Sequence, residues 1–122
     1  MSSYCIPKTA LNRLTEYIAF EVGDEVHCIA FHPGGVASTE LTAGAPEWLE
    51  ALLTETAELA AGTALYLSSP RAAWLSGRFV DARWVLEELE KRREEVERED
   101  GLKVVLGRAE GYRQRTYGAT EE

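Results

Sequence analysis

Tyr4 and Lys8 stand four residues apart in Tyr4-Cys5-Ile6-Pro7-Lys8. On one helix that spacing puts both side chains on the same face. A phenol titrates near pH 10 and is a poor acid at neutral pH. A neighbouring ammonium favours the phenolate and lowers that value. Such a pair can pass a proton to or from a substrate oxygen. A surface helix that happens to carry one Tyr and one Lys is the competing reading. The elements downstream decide between them.

Residues from about Lys8 to Phe20 read as a helix, with Ala10, Leu11, Leu14, Tyr17 and Ile18 on one face. Pro7 fits its first turn, and Gly23 ends it. Val26 to Phe31 is a short apolar run before His32-Pro33-Gly34-Gly35, the signature of a buried strand. Residues 33 to about 44 read as a loop rich in Gly, Ser and Thr. Two helices are expected next, Ala45 to Leu53 and Glu55 to Leu67, stopped at Ser68-Ser69-Pro70. Arg78 to Ala82 reads as a strand. Val85 to Asp100 reads as a long charged helix with ion pairs Glu87–Lys91 and Glu88–Arg92. Lys103 to Leu106 could add a last short strand, and the residues from 107 onward form a polar tail expected to be mobile.

This alternation means an α/β fold with parallel pairing. Two or three strands cannot close a doubly wound sheet. The first strand would keep an open edge, and flanking helices would expose apolar faces. The expected fold is therefore an incomplete Rossmann-like fragment, the C-terminal half of a doubly wound parallel sheet, over residues 1–106.

Composition narrows the function. The chain has 122 residues, 45% of them hydrophobic, and a net charge of -8. The acidity argues against nucleic acid and against an anionic membrane surface. Cys5 and Cys28 form no framework, and with His27 and His32 they give no metal-ligand spacing, so no metal is expected. Both histidines read as structural. No apolar run approaches the roughly 18 residues of a membrane span. No basic-then-apolar leader opens the chain, so a reducing, cytoplasmic compartment is expected. Trp48, Trp74 and Trp84 read as packing anchors rather than pocket walls.

Tyr4-x-x-x-Lys8 opening a helix, a strand ending in His32-Pro33-Gly34-Gly35-Val36, and Ser38-Thr39-Glu40-Leu41 just beyond together resemble the short-chain dehydrogenase/reductase family, especially its fungal members. Lys8 to Glu16 looks like that family's catalytic helix. Residues 60 to 80, with Leu75-Ser76-Gly77-Arg78, look like its penultimate helix and last core strand. The resemblance covers about residues 2 to 106. It implies an oxidoreductase that uses NAD(P) on a small-molecule carbonyl or alcohol; fungal relatives of this type serve secondary metabolism.

The resemblance also implies roles. Tyr4 would be the general acid/base. Lys8 would lower its pKa and bond the nicotinamide ribose. Pro33 and Gly34 would admit the nicotinamide, and Val36 would bond its carboxamide through the backbone. Thr39 or Ser38 would contact the carboxamide or the pyrophosphate, and residues 40 to 48 would cover the substrate. The sequence departs from the family in three ways. Ala37 and Ser38 both precede Thr39, where one residue is usual. Pro7 holds a place usually given to a small residue. These residues also contain no Gly-rich strand-turn-helix for a pyrophosphate, and Ser2 and Ser3 stand too close to Tyr4 to be the family's catalytic serine. The expectation is a chain inactive alone. The alternative is a non-catalytic interaction subunit, in a homo- or hetero-oligomer with a full-length relative or with a separate N-terminal half.

Overall fold

The computed structural model describes residues 2–37, 39–40, 42–44 and 46–105. Two strands lie in parallel, β1 (Ala30–His32) and β2 (Phe79–Asp81), with Ala30 opposite Phe79 and His32 opposite Asp81. Backbone bonds extend the pair at both ends, from Gly77 N–H to Cys28 C=O (2.7 Å) and from Ala82 N–H to His32 C=O (2.9 Å). The first strand is shorter than the apolar run from Val26. Cys28 gives its N–H to Ser76 Oγ (3.2 Å) instead of to a strand carbonyl, which frays the ladder there.

Helix α1 (Ser2–Val22) begins well before the expected Lys8, so Pro7 lies inside it rather than in its first turn. Proline has no N–H for the carbonyl four residues back, here Ser3, and its ring crowds that carbonyl. The opening turn is therefore held more loosely than the rest. At the other end, a 3₁₀ turn (Gly23–Glu25) reverses the chain into β1.

Between the strands come α2 (Glu47–Glu50), α3 (Ala57–Leu67) and a 3₁₀ turn (Pro70–Leu75). Of the expected helix from 45, one turn is helical, and Ala45 lies outside the described residues. Thr56 caps α3, its Oγ1 accepting the Leu59 N–H (3.3 Å). Glu55, expected as the first helical residue, instead forms a parallel bridge with Val36.

The long charged helix is divided into α4 (Leu86–Lys91) and α5 (Arg93–Arg98). Arg92 sits at φ -94°, ψ 7°, and its N–H is shared between the Glu88 and Leu89 carbonyls. Its ion pairs include Arg92–Glu95, Arg93–Glu97 and Arg98–Glu99, with Arg71–Glu90 reaching across to the turn before β2; neither Glu87–Lys91 nor Glu88–Arg92 closes among the described residues. Residues 103–105 form no strand. They follow a strap instead: Leu102 C=O accepts the Phe79 N–H (2.8 Å), and Arg78 Nη1 donates to Gly101 C=O (2.5 Å). Leu106 and the tail from 107 lie outside the described residues.

Side chains alternate along a strand. Val80 faces a core of Ala72, Leu75 and Leu89, joined by Ile29, Tyr66, Leu67, Trp74, Leu86 and Leu102. Phe79 points to the other face, where it shares a shallow cleft with Asn12 and Glu16 of α1. Helices thus cover both faces, as in a doubly wound fold. Trp74 packs on the core and Trp84 stacks edge-on against Phe79, whereas Trp48 is exposed and lies outside the core cluster.

Leu75 is fully buried, whereas Phe20 is 86% exposed. Leu75→Ala is expected to cost about 2–5 kcal/mol by urea unfolding. Phe20→Ser should stay within about 0.5 kcal/mol. Equal losses would contradict this placement of the core.

Candidate functional site at the carboxyl ends of the strands

Close packing fixes how α1 runs. Gly77 lies so near the helix that an added Cβ would stand 3.1 Å from the Ala19 Cβ. Asn12 shares the cleft with Phe79, whose register partner is Ala30. The helix therefore travels antiparallel to β1. From Asn12 back to Tyr4 it rises about 12 Å. From Ala30 forward to Gly34 an extended chain advances at most about 13 Å. The start of α1 and the turn after β1 thus both lie toward the carboxyl end of the strands. In open α/β sheets, ligands bind outside the carboxyl ends of the strands.

Tyr4 and Lys8 share a face of α1. The Lys8 Nζ lies 5.6 Å from the Tyr4 ring centre, a cation–π distance, and both side chains are exposed. Thr9 Oγ1 donates back to the Cys5 carbonyl (3.0 Å) inside the turn that Pro7 weakens.

The turn after β1 is held from beneath. Gly34 takes φ +86°, a left-handed conformation that favours glycine. Its N–H donates to His32 Nδ1 (3.0 Å). Gly35 donates its N–H to Glu55 Oε2 (2.6 Å), and its C=O accepts the Glu55 N–H (3.1 Å). In this parallel bridge Glu55 bonds through the neighbours of Val36, which turns the N–H and C=O of Val36 toward the opposite edge. Pro33 is exposed, and Val36 is half-buried.

Beneath the turn, Arg83 grips the buried Asp81 with two parallel bonds, Nε to Oδ1 (2.9 Å) and Nη2 to Oδ2 (2.5 Å). Asp81 Oδ2 also stands 3.8 Å from His32 Nδ1. The Arg83 fork holds the Asp81 carboxyl below the usual carboxylate range, against the opposing effect of burial. The Gly35 N–H does the same for Glu55.

Thr39 is exposed, and its hydroxyl is engaged with Thr42 Oγ1 (3.0 Å) in a turn that both threonines close. Ser38 lies outside the described residues. The structure therefore gathers Pro33, Gly34 and Val36 into one turn and pairs Tyr4 with Lys8 on one helix face. Glu55, Asp81 and Arg83 escaped sequence reasoning, because each partnership spans a loop or a turn whose register no periodicity reports. Two clefts among the described residues, of about 240 and 450 Å³, lie elsewhere, the larger of them along Trp84, Glu88 and Arg92. No cluster of three or more His, Cys, Asp or Glu among the described residues could hold a metal ion. None of the described helices is long and apolar enough to cross a membrane.

A parallel α/β layer with a glycine turn at its strand ends defines the class. Comparison with known proteins supplies the family. The chain is 40% identical over 106 residues to the short chain dehydrogenase mpl6 of Monascus purpureus, covering 86% of this chain and 36% of that protein. It is 39% identical over 108 residues to the short chain dehydrogenase andI of Emericella variicolor, covering 87% and 37%. The short chain dehydrogenase pgmD of Aspergillus terreus is 34% identical over 103 residues, covering 84% and 33%. No family model matches, and no solved structure matches significantly. The chain belongs to the short-chain dehydrogenase/reductase family, of fungal type, and fits the C-terminal part of such a protein. It spans about a third of the length of the curated relatives it matches.

The Asp81–Arg83 pair makes stability depend on pH. Asp81 is depressed in the folded state, so its contribution is present above the unfolded value near 3.9. It is lost as pH falls through the lower folded value. Arg83→Ala should therefore lower the urea midpoint at pH 7. The difference from the parent should shrink as pH falls through the lowered folded value of Asp81. A pH-independent difference in urea midpoints would show that Arg83 acts by packing alone.

Proposed function

We propose that this chain carries the acid/base and nicotinamide-facing part of an NAD(P)-dependent oxidoreductase that acts on a small-molecule carbonyl or alcohol. The reading rests on the antiparallel run of α1 against β1, which carries the Tyr4–Lys8 face and the Pro33–Val36 turn toward the same end of the sheet. In it, Tyr4 donates a proton to the substrate oxygen or takes one from it. Lys8, one helical turn along with its ammonium over the Tyr4 ring, can donate to a ribose hydroxyl.

The turn suits a nicotinamide carboxamide in one testable respect. The bridge to Glu55 leaves the N–H and C=O of Val36 directed away from it, one donor and one acceptor to match an amide's own pair. Gly34, at φ +86°, gives the turn its left-handed conformation. Ser38 or Thr39 would add a hydroxyl. A bound nicotinamide would supply or accept the hydride. The chain's own residues orient it and manage the proton.

The 122 residues contain no Gly-rich strand-turn-helix to hold a pyrophosphate. The isolated chain is therefore expected to show no turnover. With NADPH or NADH and an activated carbonyl, its nicotinamide absorbance should not decline above the rate without protein. Decline that Tyr4→Phe abolishes would overturn the inactivity and keep the roles. Decline that Tyr4→Phe leaves intact would sink the role of Tyr4.

A second reading, an interaction subunit, has its own observation. Among the described residues β1 has no partner on its outer edge, and Ile6, Leu11, Leu14, Tyr17 and Phe20 are exposed along α1. Pairing with a full-length relative or a separate N-terminal half would cover such surfaces. Sedimentation of the purified chain should then show an oligomer or a co-purifying partner; a stable monomer that keeps its fold would count against it.

A further inference from the structure

We propose that Glu55 is a positioning residue for the nicotinamide seat, acting through the Gly35 amide to aim the backbone of Val36. The inference rests on the reading of the Pro33–Val36 turn given above. It goes further by naming the side chain that shapes the turn from a distant part of the chain.

Four observations carry it. The Gly35–Glu55 hydrogen bond is short, 2.6 Å, as expected of an amide donating to a charged carboxylate. The backbone returns the bond, Glu55 N–H to Gly35 C=O at 3.1 Å. The other carboxylate oxygen is fixed by Thr54 Oγ1 (3.1 Å), so the head group cannot swing freely. The cradle is also tight. A Cβ added to Gly34 would stand 2.9 Å from Glu55 Cγ, and one added to Gly35 would stand 2.9 Å from the Leu52 carbonyl oxygen. The glycines are therefore needed on the side facing residues 52–55.

The geometry then sorts the turn's amides. The Gly34 and Gly35 N–H groups point inward, to His32 and Glu55. Val36, next in line, presents its N–H and C=O away from Glu55. Without the carboxylate, the Gly35 N–H has no acceptor and the turn can rotate. The donor–acceptor pair of Val36 then loses its fixed direction.

The test uses the full 122-residue chain and reduced nicotinamide mononucleotide, which needs no adenosine or pyrophosphate site. Amide exchange at Gly35 and the ligand-induced shift of the Val36 amide are read by NMR, with Phe79 and Val80 amides as the check on folding. Glu55→Ala should speed Gly35 exchange by about tenfold or more and abolish the Val36 shift, with Phe79 and Val80 unchanged. Glu55→Gln keeps an acceptor and should retain both signals. If Glu55→Ala does not fold, Glu55→Met fills the same space beside Gly34 without accepting the bond, and the same losses are expected. A Val36 shift with unaltered concentration dependence in the folded Ala or Met variant overturns the positioning role. No Val36 shift in the parent chain, with Gly35 exchange still controlled by Glu55, overturns the nicotinamide reading and this inference with it.

Discussion

The parallel pairing of Ala30–His32 with Phe79–Asp81 is the constraint on which the rest depends. Parallel strands need a long crossover, and here it is supplied by α2, α3 and the 3₁₀ turn that carries Ala72 and Leu75 into the core. The register also decides chemistry. It sets His32 beside Asp81, so the turn that follows β1 begins next to a buried carboxylate already gripped by Arg83. A shift by one residue would reverse Phe79 and Val80 between the α1 face and the core.

The turn after β1 is consequently rigid from below. His32 and Glu55 each accept one of its glycine amides, and one partner comes from the strand just ended while the other comes from the approach to α3. Two separate segments therefore agree on one backbone conformation. The start of α1 is built differently. Pro7 withholds a hydrogen bond, and Tyr4 and Lys8 are both exposed. The proposed proton-handling pair lies on the more loosely held element, and the proposed nicotinamide seat lies on the firmer one.

Much of this was legible from residue order. The helix around Leu11 to Ile18, the apolar run into His32-Pro33-Gly34-Gly35, the small-residue helix to Leu67 and the strand at Phe79 each carry a local signal of period or punctuation. The ends of the elements were less legible. Pro7 marks a first turn by its usual preference, yet α1 extends past it to Ser2. Mixed charges from Glu87 to Asp100 are compatible with one helix, and nothing local announces the break at Arg92. Glu55 looked like a good helix opener, because its real partner, Gly35, is remote in sequence and only the tertiary fold joins them. The Tyr4–Lys8 spacing and the Pro33-Gly34 turn were visible as motifs; what braces them was not.

The central claim is that the beginning of α1 and the turn after β1 stand beyond the same end of the sheet. Cys5 is exposed beside Tyr4, and Gly23 lies about 27 Å away from it along the helix. A spin label on Cys5, with Cys28 replaced by alanine, would report this directly through the broadening of amide signals. The account predicts strong broadening at Gly34, Gly35 and Val36, with sharp signals kept at Gly23 and Gly77. Sharp signals at the turn together with broadening at Gly77 would mean that α1 packs the other way, and the two halves of the proposed site would then lie at opposite ends of the sheet.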